Sequence, residues 1–326
     1  MSAPWLLGIE IGGTKLQLGL GTANGAITAL EERTIDPTQG AGAIRAQIEE
    51  AYRGLLAKQG IDRVAAAGIG FGGPVDSVRG TVLVSNQVEG WSDFPICEWL
   101  ASSLQIDTVV LQNDSDSATL AEYRFGAGRG LSPLLYVNSG SGVGGGLVVN
   151  GQIYSGSGLG AIEIGHLWIE DELVPTKLED LASGWAIARA GREAVRNRNL
   201  SGRFQADSAL WELAQGTPER VTGEMVASAA LAGDSEAQQI FARATRAMGR
   251  ALAHATTLLA PRRIVLGGGV SQTPAALWLD PIRAELAQRV FASFRDHYDL
   301  VPAELGQKVV VHGALALAAD AWSTHS

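Results

Sequence analysis

Two glycine-rich turns carry residue types that could bind phosphate. The first glycine turn, Glu10 to Lys15, has the sequence EIGGTK, and the second glycine turn, Gly140 to Gly146, has the sequence GSGVGGG; an apolar run precedes each. Glycine permits positive φ and a close approach of the main chain to a ligand, so backbone N–H groups can point at an anion while a Thr or Ser hydroxyl adds a donor. The repetition predicts one phosphate-binding turn in each of two domains.

The second glycine turn matches the letters of the dinucleotide motif G-x-G-x-x-G, but the residues after it do not fit that motif. The motif opens a helix, whereas Leu147 to Gly151 has the pattern of a strand and a turn. The chain has no G-x-x-x-x-G-K-[ST] sequence, which excludes a P-loop. A hairpin that holds nucleotide phosphates remains, and the alternative is an ordinary glycine-rich turn.

Asp114 is the candidate general base. It follows a predicted strand and precedes a predicted helix, where a carboxylate could accept the proton of a substrate hydroxyl during phosphoryl transfer. Asn113 beside it could hydrogen-bond a neighbouring hydroxyl. The alternative for this pair is structural, with Asp114 as the N-cap of the helix and Asn113 as a turn former.

Glu163 and His166 form a second polar pair, in the sequence EIGH. An acid and an imidazole can together hydrogen-bond vicinal hydroxyls, and such a site rejects analogues that lack them. The alternatives are a structural His or a metal ligand, although no Cys or His follows at ligand spacing. The other histidines lack a comparable context: His254, His297, His312 and His325.

Strands and helices alternate along the first part of the chain and position these residues. The pattern predicts a β-hairpin over residues 5–20, a helix over 41–59, and buried strands over 64–71 and 108–111. Ligands of open α/β sheets lie beyond the carboxyl ends of the strands. Gly72 to Pro74, Asn113 and Asp114 are therefore expected at one edge of a sheet.

The second half repeats the order strand, glycine turn, strand. Residues 126–130 are predicted as a hinge, which gives an N-terminal domain of residues 1–125 and a C-terminal domain of residues 126–312. A terminal helix over 313–326 is expected to return to the first domain. The other predicted elements are a helix over 235–260, a strand over 263–266, a turn over 267–269, a helix over 281–294 and a strand over 308–311.

Composition narrows the class of protein. The 326 residues include 25 Lys and Arg against 34 Asp and Glu, a net charge of −9 without a long basic run, so the charge pattern of a nucleic-acid binder is missing. The single cysteine, Cys97, excludes an internal disulfide and a cysteine-clustered metal site. With no leader or spanning apolar stretch, we expect a cytoplasmic protein that acts on a small molecule, with no nucleic-acid or membrane partner.

Together these motifs resemble the ROK family of sugar kinases and related repressors, within the actin-like and hexokinase-like ATPase superfamily. The resemblance covers nearly the whole chain, and its motifs stand in the family's order. In the first half, residues 9–15 resemble the first phosphate motif, 70–76 the sugar-side G-P-V loop and 86–91 the loop after it. Asn113-Asp114, with Ala118 and Glu122, resembles the segment of the catalytic aspartate. In the second half, residues 140–146 resemble the second phosphate motif, 163–166 the E-x-G-H motif, and Leu178-Glu179 with 182–184 the L-E-x-x-A-S-G motif.

The resemblance implies an α/β protein of two RNase H-like (actin-like ATPase) lobes with a central cleft. It implies a hexose on the first lobe's side, ATP with Mg²⁺ against the second, and a homodimer as the expected assembly. By position, Asp114 would be the general base toward the sugar 6-hydroxyl. The sugar ligands would be Gly73, Asn113, Glu163, His166 and Glu179, and the phosphates and adenosine would meet Glu10, Gly12, Gly13, Thr14, Lys15, Gly140, Ser141, Gly142, Gly267 and Gly268.

The segment after His166 departs from the family pattern. Family members commonly carry C-x-C-G-x-x-G-C there, which forms a zinc site with the His, whereas residues 167–177 are shorter and contain no cysteine. No zinc is therefore expected. Packing would have to orient His166 instead, since supporting contacts fix the geometry of a binding side chain; the packing residues would be Leu167, Trp168, Ile169 and Leu173.

Two single residues also depart from the family pattern. Glu10 stands where Asp is usual, which adds a methylene to a carboxylate expected to act on Mg²⁺ or its waters. Ile162 stands where Gly is usual, so its side chain must be accommodated close to the sugar loop.

The leading hypothesis is ATP-dependent phosphorylation of the 6-hydroxyl of a hexose, either glucose or a relative such as mannose or an N-acyl hexosamine. A non-catalytic sugar sensor of the same fold and a kinase that uses polyphosphate as its donor are the alternatives. Regulators of this family normally carry an N-terminal helix-turn-helix domain, which is not expected here because the first strand begins at Trp5. The sugar preference is expected to depend on the loop around Gln87, Glu89 and Trp91.

Overall fold

The computed structural model describes residues 4–85, 87–158, 160–171, 174–200 and 208–325. Asn86 and Leu173, to which the sequence assigns parts in the sugar loops, lie outside the described residues. The contacts divide the chain into a first unit of residues 1–136, 146–162 and 303–326 and a second unit of residues 137–145 and 163–302. This division differs from the predicted limits at residues 125 and 312, because residues 126–136, 146–162 and 303–312 have their contacts in the first unit.

Runs of strands and runs of helices follow one another along the chain. The strands are β1 (Leu6–Ile11), β2 (Lys15–Gly21), β3 (Ile27–Thr34), β4 (Ala66–Phe71), β5 (Val75–Asp76), β6 (Thr81–Val82), β7 (Val109–Asn113), β8 (Leu134–Ser139), β9 (Val143–Val149), β10 (Gln152–Ile153), β11 (Trp168–Ile169), β12 (Thr176–Lys177), β13 (Arg263–Gly267) and β14 (Asp299–Pro302). The α-helices are α1 (Gly40–Gln59), α2 (Ile96–Leu104), α3 (Asp114–Phe125), α4 (Glu179–Ala182), α5 (Gly184–Leu200), α6 (Ala209–Leu213), α7 (Gly223–Leu231), α8 (Ser235–Leu259), α9 (Leu279–Arg289) and α10 (Val309–His325).

The first sheet has the strand order β3-β2-β1-β4-β7. Strands β1, β2 and β3 are antiparallel neighbours, while β4 and β7 run parallel to β1. Every residue of β1 and β4 is buried, as expected for strands that are covered on both faces. Ile11 pairs with Phe71 and Phe71 with Asn113, so the carboxyl ends of β1, β4 and β7 lie side by side. This confirms the predicted convergence of the ends of β4 and β7.

The C-terminal segment corrects one prediction. The three consecutive valines favour a strand over residues 308–311, but these residues end a 3₁₀ turn and begin α10. The helix packs so closely on the sheet that a Cβ on Gly8 would lie 2.7 Å from the Val311 carbonyl oxygen, and a Cβ on Gly68 would overlap the Ala314 carbonyl. Packing of a buried helical face therefore overrides the local β propensity, as tertiary context commonly does.

The second sheet has the strand order β10-β9-β8-β13-β14, in which β13 and β14 are parallel. In the second unit, the long helix α8 packs against α9 and α7. Helix α9 ends at Arg289, and a separate 3₁₀ turn covers Ala292–Phe294, so the helix predicted over 281–294 is shorter than expected. None of the helices within the described ranges is long and apolar enough to cross a membrane.

Candidate functional site

The first glycine turn closes through the backbone. The Gly12 N–H donates to the Lys15 carbonyl at 2.9 Å, and the Ile35 N–H donates to the Thr14 carbonyl at 2.9 Å. Neither Gly12 nor Gly13 has positive φ, which corrects that part of the reasoning from sequence. A Cβ on Gly13 would overlap the side-chain amide of Gln87, which is the end of an exposed, flexible side chain and can shift.

Glu10 is buried at the start of the first glycine turn, with 8% of its surface exposed. Its Oε1 lies 3.0 Å from Lys15 Nζ, which also donates to the Gln307 carbonyl at 3.1 Å. Burial raises the pKa of Glu10 to about 7, and the charges of Asp114 and Glu32 act in the same direction, against the lowering effect of Lys15. The carboxylate therefore changes its charge near neutral pH.

Asp114 lies at the edge where the three strand ends meet. The Ser115 N–H donates to its Oδ1 at 2.7 Å, and its Oδ2 is 3.3 Å from the position of a Cβ on Gly72. The Gly72 N–H in turn donates to the Ile11 carbonyl at 2.8 Å, and the same Cβ position is 3.5 Å from the Gly12 Cα. The structure thus places the candidate base beside both the first glycine turn and the sugar-side loop.

Asn113, and not Asp114, is the N-cap of α3, which corrects the structural alternative stated for this pair. Its Oδ1 accepts from the N–H groups of Ser115 at 2.8 Å and Asp116 at 3.4 Å, and its Nδ2 donates to the Gly73 carbonyl at 3.2 Å. An amide has two N–H donors, and the Gly73 carbonyl accepts from one of those of Asn113. Asn113 also fixes Gly73, and Asp114 does not have to cap the helix.

The second glycine turn is held by groups that sequence reasoning did not connect with it. The Gly184 N–H donates to the Gly140 carbonyl at 2.7 Å, and the Gly144 N–H donates to Asn138 Oδ1 at 2.9 Å. As in the first turn, neither Gly140 nor Gly142 has positive φ. Ser141 is exposed at the tip.

Glu179 supports the second glycine turn directly. Its Oε2 accepts from the Val143 N–H at 2.9 Å, and a Cβ on Gly142 would overlap the same oxygen. The predicted sugar ligand is therefore also the reason why residue 142 must be glycine. Glu179 and Val143 are 36 positions apart with no periodic signal to connect them, so only the fold could reveal this contact.

Glu163 and His166 flank a 3₁₀ turn over Ile164–His166, in which the His166 N–H donates to the Glu163 carbonyl at 3.0 Å. Both side chains are exposed, whereas Gly165 between them is buried so closely that a Cβ would overlap the Val143 carbonyl. Val143 thus joins this pair to Glu179 and to the second glycine turn.

A backbone hydrogen bond and a buried side chain support the segment after His166. The Leu178 N–H donates to the Leu167 carbonyl at 2.9 Å, and Ile169 is buried in a two-residue strand that pairs with β12. Trp168, by contrast, is 64% exposed, so it does not supply the predicted packing. Leu167 is exposed at the margin, so Ile169 is the main apolar support among these three residues.

Gly267 ends β13, and Gly268 follows it beside the end of β8, where the second glycine turn begins. Gly268 has φ of +87° and packs on the backbone of Ser139, which a Cβ would overlap. Ser139 Oγ donates to the Ala182 carbonyl at 2.6 Å. The described site residues of the second unit therefore cluster around the end of β8.

A magnesium ion held partly by a nucleotide needs few protein ligands, since Mg²⁺ is usually bound through one or two carboxylates plus substrate phosphates. Glu10 fits this requirement, because its Oε2 is buried without a hydrogen-bond partner in the described part of the chain. Within the same ranges, no group of three or more His, Cys, Asp or Glu side chains is arranged to hold a metal ion by itself.

The chain is similar to known proteins over nearly its whole length. The model of the ROK family matches residues 6–321. The chain belongs to the ROK family. Among its relatives, glucokinase of Thermotoga maritima is 30% identical over 319 residues, covering 96% of each chain. N-acetylmannosamine kinase of Shigella flexneri is 30% identical over 316 residues, covering 96% of this chain and 98% of the relative.

A solved structure of a ROK family glucokinase from Streptomyces griseus, in complex with glucose and AMPPNP, resembles this ROK protein closely. The TM-score is 0.80 at 30% identity, covering 97% of this chain and 99% of the other. The match confirms the predicted α/β fold of the actin-like ATPase class.

Proposed function

We propose that this ROK family sugar kinase transfers the γ-phosphoryl group of ATP to the 6-hydroxyl of a hexose, with glucose as the simplest acceptor. The observation that carries the proposal is the position of Asp114, with Oδ2 beside Gly72 and the first glycine turn. A carboxylate there can accept the proton of an attacking hydroxyl next to a turn suited to phosphate. The nearly full-length glucokinase relative supports this assignment.

Asp114 acts as the general base. It accepts the hydroxyl proton as the sugar oxygen attacks phosphorus, so the phosphoryl group moves from the donor to the sugar and the proton moves to Asp114. The Ser115 N–H bonded to Oδ1 fixes the orientation of the carboxylate. Asn113 and Gly73 would hold neighbouring hydroxyls, and the hydrogen bond between them keeps both in place.

Backbone N–H groups and cations stabilise the phosphates. Gly12, Gly13 and Thr14 would offer N–H and hydroxyl donors, and Lys15 adds a positive charge beside Glu10. When bound, Mg²⁺ would neutralise charge on the donor phosphates, and Glu10 would hold it or its waters.

The second unit supplies the remaining contacts in this proposal. Glu163, His166 and Glu179 would bind ring hydroxyls, and such hydrogen bonds discriminate strongly against analogues without them. The second glycine turn would bind donor phosphates, and Gly267 and Gly268 would lie near the adenosine. The glucokinase structure with glucose and AMPPNP supports a hexose and a nucleotide as the two ligands.

The proposal is tested by ADP release with Mg-ATP and glucose, mannose, fructose, N-acetylglucosamine or N-acetylmannosamine. Asp114→Asn should lower turnover about 100- to 10,000-fold, the usual contribution of a general base. The control is Asp62→Asn, which changes an exposed aspartate of the first unit and should leave turnover unchanged. Near wild-type turnover in Asp114→Asn would refute the general base, and sugar binding without any ADP release would instead indicate a sensor.

A further inference from the structure

Trp185 is a large apolar side chain that remains exposed at the start of α5. Its surface is 57% exposed, although Ala182 and Ser183 before it and Ala186 and Ile187 after it are buried. Large apolar residues in the middle of a buried stretch are usually buried as well, so an exposed one calls for an explanation.

The backbone places Trp185 at the second glycine turn. The preceding Gly184 donates its N–H to the Gly140 carbonyl at 2.7 Å. A Cβ on Gly184 would lie 2.9 Å from that carbonyl oxygen and 3.5 Å from Val270 Cγ2. Because consecutive Cα atoms are about 3.8 Å apart, Trp185 begins within one residue of both the second glycine turn and the turn after β13.

We propose that the indole of Trp185 is the surface on which the base of the phosphoryl donor stacks, so that the donor is a nucleoside triphosphate and not polyphosphate. The inference rests on the proposed function, in which the second glycine turn binds donor phosphates. A nucleotide bound there carries its base one ribose away from the phosphates, within reach of an indole that begins at the same turn. Aromatic side chains commonly serve as stacking platforms for bases, with little dependence on which base is bound.

The stacking role predicts a selective loss of donor affinity. Trp185→Ala should raise KM for Mg-ATP about 10-fold, within the range that base stacking contributes, while kcat and KM for the sugar change less than about 2-fold. Trp185→Phe keeps an aromatic face and should remain close to wild type. Phe291→Ala is the matched control, because Phe291 is also 57% exposed in the second unit and should leave donor KM unchanged.

Inhibition by tripolyphosphate shows whether Trp185 contacts the base of the donor or its phosphates. Tripolyphosphate carries phosphates without a base, so its inhibition constant against Mg-ATP should be the same in wild type and Trp185→Ala. An unchanged KM for Mg-ATP in Trp185→Ala, or an equal weakening of tripolyphosphate, would overturn the inference. So would a change in molar mass by light scattering that accounts for the loss of affinity, since Trp185 would then belong to an interface between copies of the chain.

Direct binding distinguishes failure of this inference from failure of the proposed function. If the wild-type protein phosphorylates no sugar, the proposed function fails, and calorimetric titration with ADP still tests Trp185. Weaker ADP binding by Trp185→Ala than by wild type supports stacking. Equal affinities, or no ADP binding by either protein, would refute it.

Discussion

Ile162 has a backbone conformation that a β-branched residue rarely adopts. Its φ is +59°, in the left-handed region, which costs an L-residue roughly 1–2 kcal/mol. Glycine has no such cost, which gives a physical reason for the glycine usual at this position in the family. The strained residue directly precedes Glu163, so the backbone strain lies next to a proposed sugar ligand.

Two substitutions separate this strain from the loss of the Ile162 side chain. Ile162→Gly and Ile162→Ala both remove packing, but only the alanine variant keeps a Cβ in the left-handed region. We expect the glycine variant to be about 1 kcal/mol more stable, although in ordinary backbone alanine is favoured by roughly 0.5–1 kcal/mol. Urea unfolding of both variants measures the difference, and an alanine variant of equal or higher stability would contradict the strain.

Single contacts are the part of the site that the sequence predicts least well. The types and spacing of Asp114, Glu163 and His166 indicate phosphoryl transfer to a hydroxyl compound. Asn and Asp are both favoured N-cap residues, so the choice of Asn113 over Asp114 depends on three-dimensional placement. The contact between Glu179 and the Val143 N–H also depends on it and has no periodic or local signal. Glycine-rich turns were predictable, but not through positive φ. A Cβ on Gly142 would overlap Glu179 Oε2, and a Cβ on Gly12 would lie 3.3 Å from the Lys15 carbonyl oxygen.

At the scale of elements, a buried carboxylate fastens the end of α3 to two other segments. Glu122 is fully buried; its Oε1 accepts from the Glu304 and Leu305 N–H groups at 3.0 Å each, and its Oε2 accepts from the Ala127 N–H at 2.8 Å. The segment that begins with these residues leads to Gln307, whose carbonyl accepts from Lys15 Nζ. Residues 126–128, predicted as part of a hinge, are buried at this point.

Glu122→Gln should destabilise the protein by about 1–3 kcal/mol, because the amide places a donor where a buried backbone N–H needs an acceptor. Amide hydrogen exchange should accelerate at Ala127 or at the two backbone amides of the 304–305 segment. Glu304→Gln, which changes an exposed side chain, is the control. Unchanged exchange at all three amides in Glu122→Gln would show that these hydrogen bonds do not hold the segments.

Elements with a clear periodicity or a clear stop signal were predictable. The helix expected over 41–59 is found at Gly40–Gln59, where Gly60 ends it in the left-handed region, and the helix expected over 235–260 is found at Ser235–Leu259. The valines at 309–311 misled the prediction because they begin a buried helix that packs on glycines of β1 and β4, which lie far away in sequence. Such long-range steric fit cannot be inferred from a local pattern.

At the scale of the whole molecule, the free energy of unfolding measured with and without ligand should distinguish a residue that binds the sugar from one that acts in catalysis. A hexose that binds only the folded state stabilises it by mass action, by about 2.7 kcal/mol at 100 times its dissociation constant. Asp114→Asn keeps an oxygen that can accept from the 6-hydroxyl, so glucose should protect this variant from urea unfolding nearly as well as it protects wild type. His166→Ala should lose part of that protection but keep the protection given by ADP. Loss of glucose protection in Asp114→Asn would mean that Asp114 mainly binds the sugar, and its effect on turnover would then not identify a general base.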